Sequence, residues 1–338
     1  MSALELTALV ERLRALNGLH AKRDIQAPAA VFSHHPFAEL GLASRLGDDA
    51  AVLPAQDGAL LLACEGMHPE LVSDDPWFAG WSGVLVNLSD IAAMGGRPLA
   101  LVNSVWSAGE RAVAPLLEGM RFACDKFSIP MVGGHTNSQS PYSALSVAVL
   151  GVADGPVLSA RAAQNGDLLV LLIDGDGRFY RHYPFWDAAT SAEPSRLQSQ
   201  LALLPRLAQA GIASAAKDIS MGGLVGTAVM FAEACGLGIT IDLDAIPRPA
   251  EIDELAWLSC FPSFGFLFAV SSCRLSSLKE VVAAHDNLIC AAIGCFEADG
   301  TGVKSAAIRP NPSTLGWLNF AHGIRRSGKP VAPVLIAT

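Results

Sequence analysis

The alternation of apolar and polar positions divides the chain into short helices and strands. Leucines recur at helical spacing from Ala3 to Leu16, with charges between them, and predict an opening amphipathic helix. After a loop rich in Pro, Gly and His, two apolar runs, Ala50 to Leu53 and Ala59 to Cys64, flank Pro54 and Asp57-Gly58 and predict a hairpin. Pro76 suits a first helical turn behind Asp74 or Asp75 as cap, so a helix is predicted from there to Met94, stopped by Gly95-Gly96. A strand from Leu99 to Trp106, a helix from Glu110 to Phe127 and apolar runs at Pro130 to Val132 and Ala144 to Val152 complete this half.

The pattern restarts after Asp154-Gly155-Pro156. Strands are predicted at Asp167 to Ile173, Ala215 to Ile219, Ile239 to Leu243, Phe264 to Val270 and Leu288 to Ile293. Helices are predicted at Ser195 to Ala210, Gly222 to Ala234 and Leu275 to Ala284. Two α+β domains meeting near Gly155 to Asn165 follow, with residues 1–155 in the first, 156–310 in the second and a tail at 311–338.

Composition narrows the function. The 338 residues are 51% hydrophobic and 16% charged, enough apolar material for a large core. A formal charge of -9 argues against binding nucleic acid, whose phosphates repel an acidic surface. The mean hydropathy of +0.38 comes from short bursts cut by Gly, Asp, Ser or Pro, so no membrane span is predicted. The N-terminus lacks the pattern of a signal peptide, and a cytoplasmic location is the expectation. Seven cysteines with no Cys-x-x-Cys pair read as reduced core residues.

Chemistry concentrates in the first half. Asp48 and Asp49, Glu65, and Asp90 inside an apolar helix are carboxylates that are costly to bury without a cation. Oxygen ligands without clustered cysteine or histidine suit Mg²⁺, which enters with phosphates. Taken singly, Asp48 also reads as a turn cap and Asp49 and Asp90 as solvated; the apolar neighbours Val86, Leu88, Ile91 and Met94 favour the metal reading for Asp90. Gly133-Gly134-His135-Thr136 lets backbone N–H groups approach a phosphate, and reads equally as a tight turn. Asp218-Ile219-Ser220-Met221-Gly222-Gly223 sits at a strand end leading into a helix; Asp218 and Ser220 are ligand candidates or simple caps.

Four strings in order carry a resemblance: Gly47-Asp48-Asp49-Ala50-Ala51-Val52-Leu53, Val86-Asn87-Leu88-Ser89-Asp90-Ile91-Ala92-Ala93-Met94-Gly95, Gly133-Gly134-His135-Thr136 and Asp218-Ile219-Ser220. They resemble the motifs of the superfamily of aminoimidazole ribonucleotide (AIR) synthetase, thiamine-monophosphate kinase and selenophosphate synthetase. The resemblance implies a two-domain, PurM-like α+β fold whose N-terminal ATP-binding domains pair into a shared dimeric barrel. It implies Mg-ATP in the cleft between domains, with metal held by Asp49, Asp90 and Asp218, by Glu65 where the family has Asp, and by Asp48 as a neighbour. Gly133, Gly134 and His135 fall at the family's nucleotide-phosphate motif, and Asp49 and Ser220 belong to the same nucleotide site.

The Gly-Asp-Asp-Ala-Ala and Asn-Leu-Ser-Asp-Ile-Ala-Ala-Met-Gly strings resemble the kinase; Val72-Ser73-Asp74-Asp75-Pro76, Met94-Gly95-Gly96-Arg97-Pro98 and Gly-Gly-His-Thr resemble the selenium enzyme. Neither fits throughout. The selenium enzymes carry Cys or selenocysteine near the N-terminus, closely followed by Lys, whereas the first cysteine here is Cys64. Met221 and His135 stand where the kinase has acids, and Phe261-Pro262-Ser263-Phe264-Gly265-Phe266-Leu267 replaces its later Gly-Gly-x-Asp-Tyr-Glu-Leu motif. The combination looks most like a separate, uncharacterised group of AIR synthase-related proteins.

The reading is thus a Mg²⁺- and ATP-dependent enzyme that phosphorylates or activates a small-molecule acceptor as a homodimer. A catalytically lapsed nucleotide-binding regulatory subunit is the alternative, and thiamine-monophosphate kinase or selenophosphate synthetase activity a third. Lys22, with Arg23, suits a loop closing over the γ-phosphate, beside His135 as a catalytic candidate. His68 and Ser263 are substrate candidates, Phe261 to Phe268 a core strand, Trp77 and Trp81 packing residues, and His34-His35 a surface loop.

Overall fold

The computed structural model describes residues 3–16, 31–32, 41, 46–298, 324–326 and 329–330. Lys22, Arg23, His34 and His35 lie outside the described residues, as does most of the tail.

The first half follows the predicted order closely. Helix α1 (Ala3–Arg14) is followed by the antiparallel hairpin β1 (Ala51–Pro54) and β2 (Ala59–Gly66). A short helix α2 (Pro69–Asp74) leads to α3 (Pro76–Ala93), then β3 (Arg97–Trp106), α4 (Glu110–Phe127), β4 (Met131–Asn137) and β5 (Ala144–Ala153). Asp75 caps α3 by accepting from the Phe78 N–H at 3.1 Å, and Gly95 supplies the positive φ that ends the turn after it.

These strands form one sheet in the order β1-β2-β5-β3-β4, parallel only between β3 and β4. Helices α3 and α4 cover one face and cross closely: a Cβ on Gly119 would lie 1.9 Å from the Trp77 carbonyl oxygen. The opposite face carries Leu62, Val102 and Leu150, all exposed. The sheet is open, so the shared barrel implied by the resemblance is not closed within one chain.

The second half is built on a sheet ordered β15-β14-β10-β13-β6-β12-β9. Its strands are β6 (Leu168–Asp174), β9 (Ala215–Asp218), β10 (Gly238–Asp242), β12 (Gly265–Val270), β13 (Leu288–Glu297), β14 (Ile324–Arg326) and β15 (Lys329–Pro330). On β6, Leu169, Leu171 and Ile173 enter one core and Val170 and Leu172 another, which explains the strand's unbroken apolar run.

The helix predicted from Ser195 to Ala210 is two: α5 (Pro194–Leu201) and α6 (Leu203–Gln209). Pro205 is the reason, since it has no N–H to give the Leu201 carbonyl four residues back. Helices α7 (Gly223–Cys235), α8 (Glu254–Ser259) and α9 (Leu275–Val282) complete the layers.

The core strand expected from Phe261 to Phe268 is also divided. Phe261–Pro262 forms β11, which joins β7 (Arg178–Phe179) and β8 (Phe185–Asp187) in a separate small sheet, and only Gly265 onward enters the large one. Gly265 has no room for a side chain: its Cβ would lie 2.3 Å from the Pro262 ring. Pro262 and Gly265, both poor residues for a strand interior, flank the bend at Ser263 and Phe264 and divide the run.

The halves interlock. Leu9, Val10 and Leu13 of α1 pack with α7 and α8, while Ala92 and Ala93 at the end of α3 join Leu203, Leu204 and Ala208. The C-terminal end of α3 is thereby held against β9. Cysteines are free, with Cys124 and Cys260 buried but Cys64 and Cys273 exposed, so not all seven are core residues. Among the described residues no helix is long and apolar enough to cross a membrane.

Candidate functional site

Where α3 meets β9, the chain encloses a cavity of about 480 Å³. Each wall comes from a different element: Asp48 and Asp49 precede β1, Glu65 ends β2, Asp90 projects from α3, and Lys217 and Asp218 end β9. Strand ends and a helix held by two cores are rigid platforms, and carboxylates gathered on them are fixed in place.

Asp49 is the centre of this cluster. Its Oδ1 forms an ion pair with Lys217 Nζ, and its Oδ2 accepts from the Asp218 N–H at 3.3 Å. Burial pushes its carboxyl up to about 7, with Asp218 and Asp48 adding to the shift and Lys217 opposing it. Burial works against the Lys217 ammonium, yet the charges of Asp49, Asp48 and Asp218 outweigh it and hold that lysine protonated.

Asp90 is buried, not solvated, and its Oδ2 has no hydrogen-bond partner. Burial raises its pKa well above the usual carboxylate range, reinforced by Asp218, Glu65 and Asp49. Asp48 has partners on both oxygens: Oδ1 accepts from the Asp49 N–H at 3.1 Å, and Oδ2 from Ser159 Oγ at 2.6 Å and the Ala160 N–H at 3.1 Å. It ties the loop before β1 to the connection between the two sheets.

Neither Asp218 nor Ser220 caps the following helix, whose N-cap is Gly222 without a side-chain bond. Both line the cavity instead, with the Ser220 N–H directed to Thr227 Oγ1 at 3.4 Å. His68 is at the cavity mouth, exposed, with Nδ1 4.0 Å from Glu70. Ser263 also lines it; its Oγ accepts from the Ala188 N–H at 2.9 Å and so helps to fix the loop after β8.

Gly133, Gly134 and His135 are not among the cavity residues. They lie in the exposed edge strand β4, where a Cβ on Gly134 would come within 2.6 Å of the Asn103 carbonyl oxygen. The glycine pair forms neither a tight turn nor, within one chain, a part of this site. His135 is exposed, its ring 6.3 Å from that of Trp106.

Lys217 is the residue that sequence reasoning missed. A signal stood in the cation that follows the mostly apolar run Ile212 to Ala216, since it cannot be buried without an acid opposite, but the adjacent Asp218 masks it. The far wall was also missed. Phe185, Trp186, Phe261 and Pro262 of the small sheet face Phe78, Trp81 and Leu85 of α3, giving the cavity an apolar, aromatic end. Trp81 stacks on Trp77 at 6.3 Å as a packing residue, but it lines the cavity too, and its indole N–H has no partner.

The donor chemistry suits a hard divalent ion. All the carboxylates offer oxygen, and the buried Asp90 Oδ2 lacks a partner. Among the described residues no three His, Cys, Asp or Glu side chains are close enough to hold an ion unaided. That fits Mg²⁺, which takes one or two carboxylates and completes its shell with phosphate and water oxygens. A larger hollow of about 600 Å³, along α4 beside Arg121, Asp125 and Pro130, has no such cluster; Arg121 and Asp125 simply pair at 2.6 Å.

An uncharacterised protein of Synechocystis sp. is 44% identical over 307 residues, covering 90% of each chain. A thiamine-monophosphate kinase of Methanospirillum hungatei is 29% identical over 249 residues, covering 68% of this chain and 82% of its own. Among solved structures, AaThiL complexed with AMPPCP and TMP aligns with a TM-score of 0.59 at 21% identity, over 88% of this chain and 92% of that one. PurL of T. maritima complexed with ADP aligns with a TM-score of 0.64 at 18% identity, and there the match spans only 42% of the longer chain. These likenesses establish the two-domain, PurM-like α+β fold. Family models for the N-terminal and C-terminal domains of AIR synthase related proteins match residues 47–153 and 164–304, and the chain belongs to that family.

Proposed function

We propose that this protein is a Mg²⁺- and ATP-dependent enzyme that transfers phosphoryl to, or thereby activates, a small-molecule acceptor. One observation carries the reading: a single cavity has Asp49, Glu65, Asp90, Asp218 and Lys217 at one end and an aromatic wall at the other. Phosphoryl transfer needs charge neutralisation and alignment, and no covalent protein intermediate. Asp90, Asp218 and Glu65 would hold the magnesium that arrives with the nucleotide, one or two carboxylates to each ion, and bound magnesium neutralises phosphate charge. Asp49 and Asp48 set the position of the loop and strand end that shape the site, and Ser220 lies beside the phosphates.

The acceptor belongs at the aromatic end, between Phe185 and Phe261 on one side and Phe78 and Trp81 on the other. His68 at the mouth and Ser263 on the floor are its polar neighbours. The wall favours an acceptor with a flat or apolar body over a small inorganic anion.

The functional unit in this reading is a homodimer in the cytoplasm, where ATP is supplied. Leu62, Val102 and Leu150 form an exposed apolar stripe on the uncovered sheet face, which a second copy of the chain would cover. Pairing there would also bring Gly133, Gly134 and His135 out of solvent and toward the nucleotide. Lys22 is proposed as a clamp over the γ-phosphate.

The experiment is ³¹P NMR of the protein with Mg-ATP, with and without a metabolite extract, beside an Asp49→Ala, Asp90→Ala double variant. Extract-dependent ADP or AMP formation that the variant loses supports the enzyme. ATP binding without turnover in any mixture overturns it in favour of a regulatory subunit.

A further inference from the structure

Lys217 does not fit the role of an ordinary salt-bridge partner. It is buried on β9 and is the one lysine or arginine among the cavity-lining residues, facing Asp48, Asp49, Glu65, Asp90 and Asp218. A buried ion pair contributes little net stability compared with an apolar pair of similar size, so stability alone does not account for a lysine here. Its ammonium carries three N–H donors, and the one hydrogen bond the structure gives it is with Asp49.

We infer that Lys217 is a resident cation of the phosphate-binding end, fixed by Asp49 and donating directly to the phosphate oxygens of the nucleotide. The inference rests on the ATP reading above and adds a binding residue to it. A polyphosphate cannot approach a cluster of carboxylates unless cations stand between them. Divalent ions that arrive with the nucleotide supply part of this charge; Lys217 supplies the rest and is present beforehand. Asp49 then serves the lysine, with one oxygen on Nζ and the other on the Asp218 N–H. Asp90, whose buried Oδ2 has no partner, is left for the metal.

Two consequences separate this from a structural ion pair. Some nucleotide affinity should persist without any divalent ion, and it should belong to Lys217. Removing the ammonium should also free the Asp49 carboxylate for an additional divalent ion.

The test compares wild type, Lys217→Met and Lys217→Arg by calorimetric titration with the β,γ-imido analogue of ATP in EDTA, and counts bound Mn²⁺ by electron paramagnetic resonance. The metal-free affinity is expected to fall about ten-fold or more in Lys217→Met and to be largely kept in Lys217→Arg, which retains the charge. Lys217→Met is expected to bind one more Mn²⁺ per chain than wild type. Equal metal-free affinity in wild type and a folded Lys217→Met overturns the inference. Should Lys217→Met fail to fold, ¹⁵N-lysine NMR of wild type decides. The Nζ signal missing from Lys217→Arg must move when the analogue is added in EDTA, and a signal that stays in place overturns the inference. Wild type that binds no analogue even with Mg²⁺ removes the ATP reading itself, and this inference with it.

Discussion

Tyr180 donates its phenolic O–H to Asp75 Oδ2 at 2.8 Å, joining residues 105 positions apart, one in the small sheet's hairpin and the other capping α3. The same Tyr180 ring stacks on Phe78 with centroids 3.6 Å apart, and Arg181 reaches Asp75 at 2.7 Å. The helix that carries Asp90 is therefore anchored at its N-terminus by the segment that forms the aromatic wall. The hydrogen bond, the ring stack and the ion pair together hold the helix to that wall.

Tyr180→Phe tests this coupling. The ring stack survives, and Asp75 keeps its bonds to the Phe78 N–H and Arg181. The expected cost is about 1 kcal/mol of unfolding free energy, read by urea titration. KM for the acceptor is expected to rise while nucleotide affinity holds, because the loosened end is the aromatic one. Equal rises in both would place the contact's effect on the whole cleft.

Asp90→Asn separates stability from binding. Burial and three neighbouring carboxylates disfavour the charged form, so the neutral amide is expected to raise the melting temperature at pH 8. Mg²⁺-dependent nucleotide binding is expected to weaken about ten-fold or more, since an amide oxygen is a poorer ligand than a carboxylate. Calorimetric titration beside a thermal melt reads both. A variant that gains stability and keeps its binding would remove Asp90 from the metal site.

Glu233, which is not among the cavity-lining residues, gives a pH prediction. It sits in the last turn of α7, half-buried, with Oε2 lacking any hydrogen-bond partner, and burial pushes its carboxyl from 4.5 up to about 7. A folded-state pKa above the unfolded one means that the protonated form favours folding. That contribution is complete below pH ~4.5 and is lost as pH rises toward 7. Discounted for solvent screening, the loss is about 1 kcal/mol. Glu233→Gln should remove it, melting higher than wild type at pH 8 and nearly level with it at pH 4.5. Parallel pH–stability curves for the two proteins would contradict this.

The limits of sequence reading follow from how locally each feature is encoded. Helix α3 was legible at both ends because Asp75, Pro76 and Gly95 act within a turn of where they stand. The carboxylates were legible because acids in apolar strings violate the pattern. Strands β7 and β8, of two and three residues, are too short to show a period, so the aromatic wall was invisible. Lys217 was hidden by its neighbour: Lys beside Asp reads as a solvated pair, and its true partner, Asp49, lies 168 residues away. The broken helix at Ala202 could have been read from Pro205 alone.

The uncovered sheet face yields the last prediction. Leu62 on β2 pairs directly with Leu150 on β5, and both are exposed, as is Val102 on β3. A sheet face of this kind, left in water, is either a binding surface or an aggregation liability. Lysines at positions 62 and 150 would set like charges opposite each other on adjacent strands and disfavour a second copy, while leaving the inward-facing Leu61, Val147 and Val149 untouched. If the proposed homodimer forms through this face, wild type is expected to be dimeric by light scattering and the Leu62→Lys, Leu150→Lys variant monomeric, with a melt that remains cooperative. The variant is also expected to lose ATP turnover, even though every residue lining the cavity is intact, because in the proposed dimer Gly133, Gly134 and His135 would reach a nucleotide only through the paired edge. A monomeric variant that keeps full turnover would assign those three residues to the close packing of β4 on Asn103 and leave the site complete within one chain.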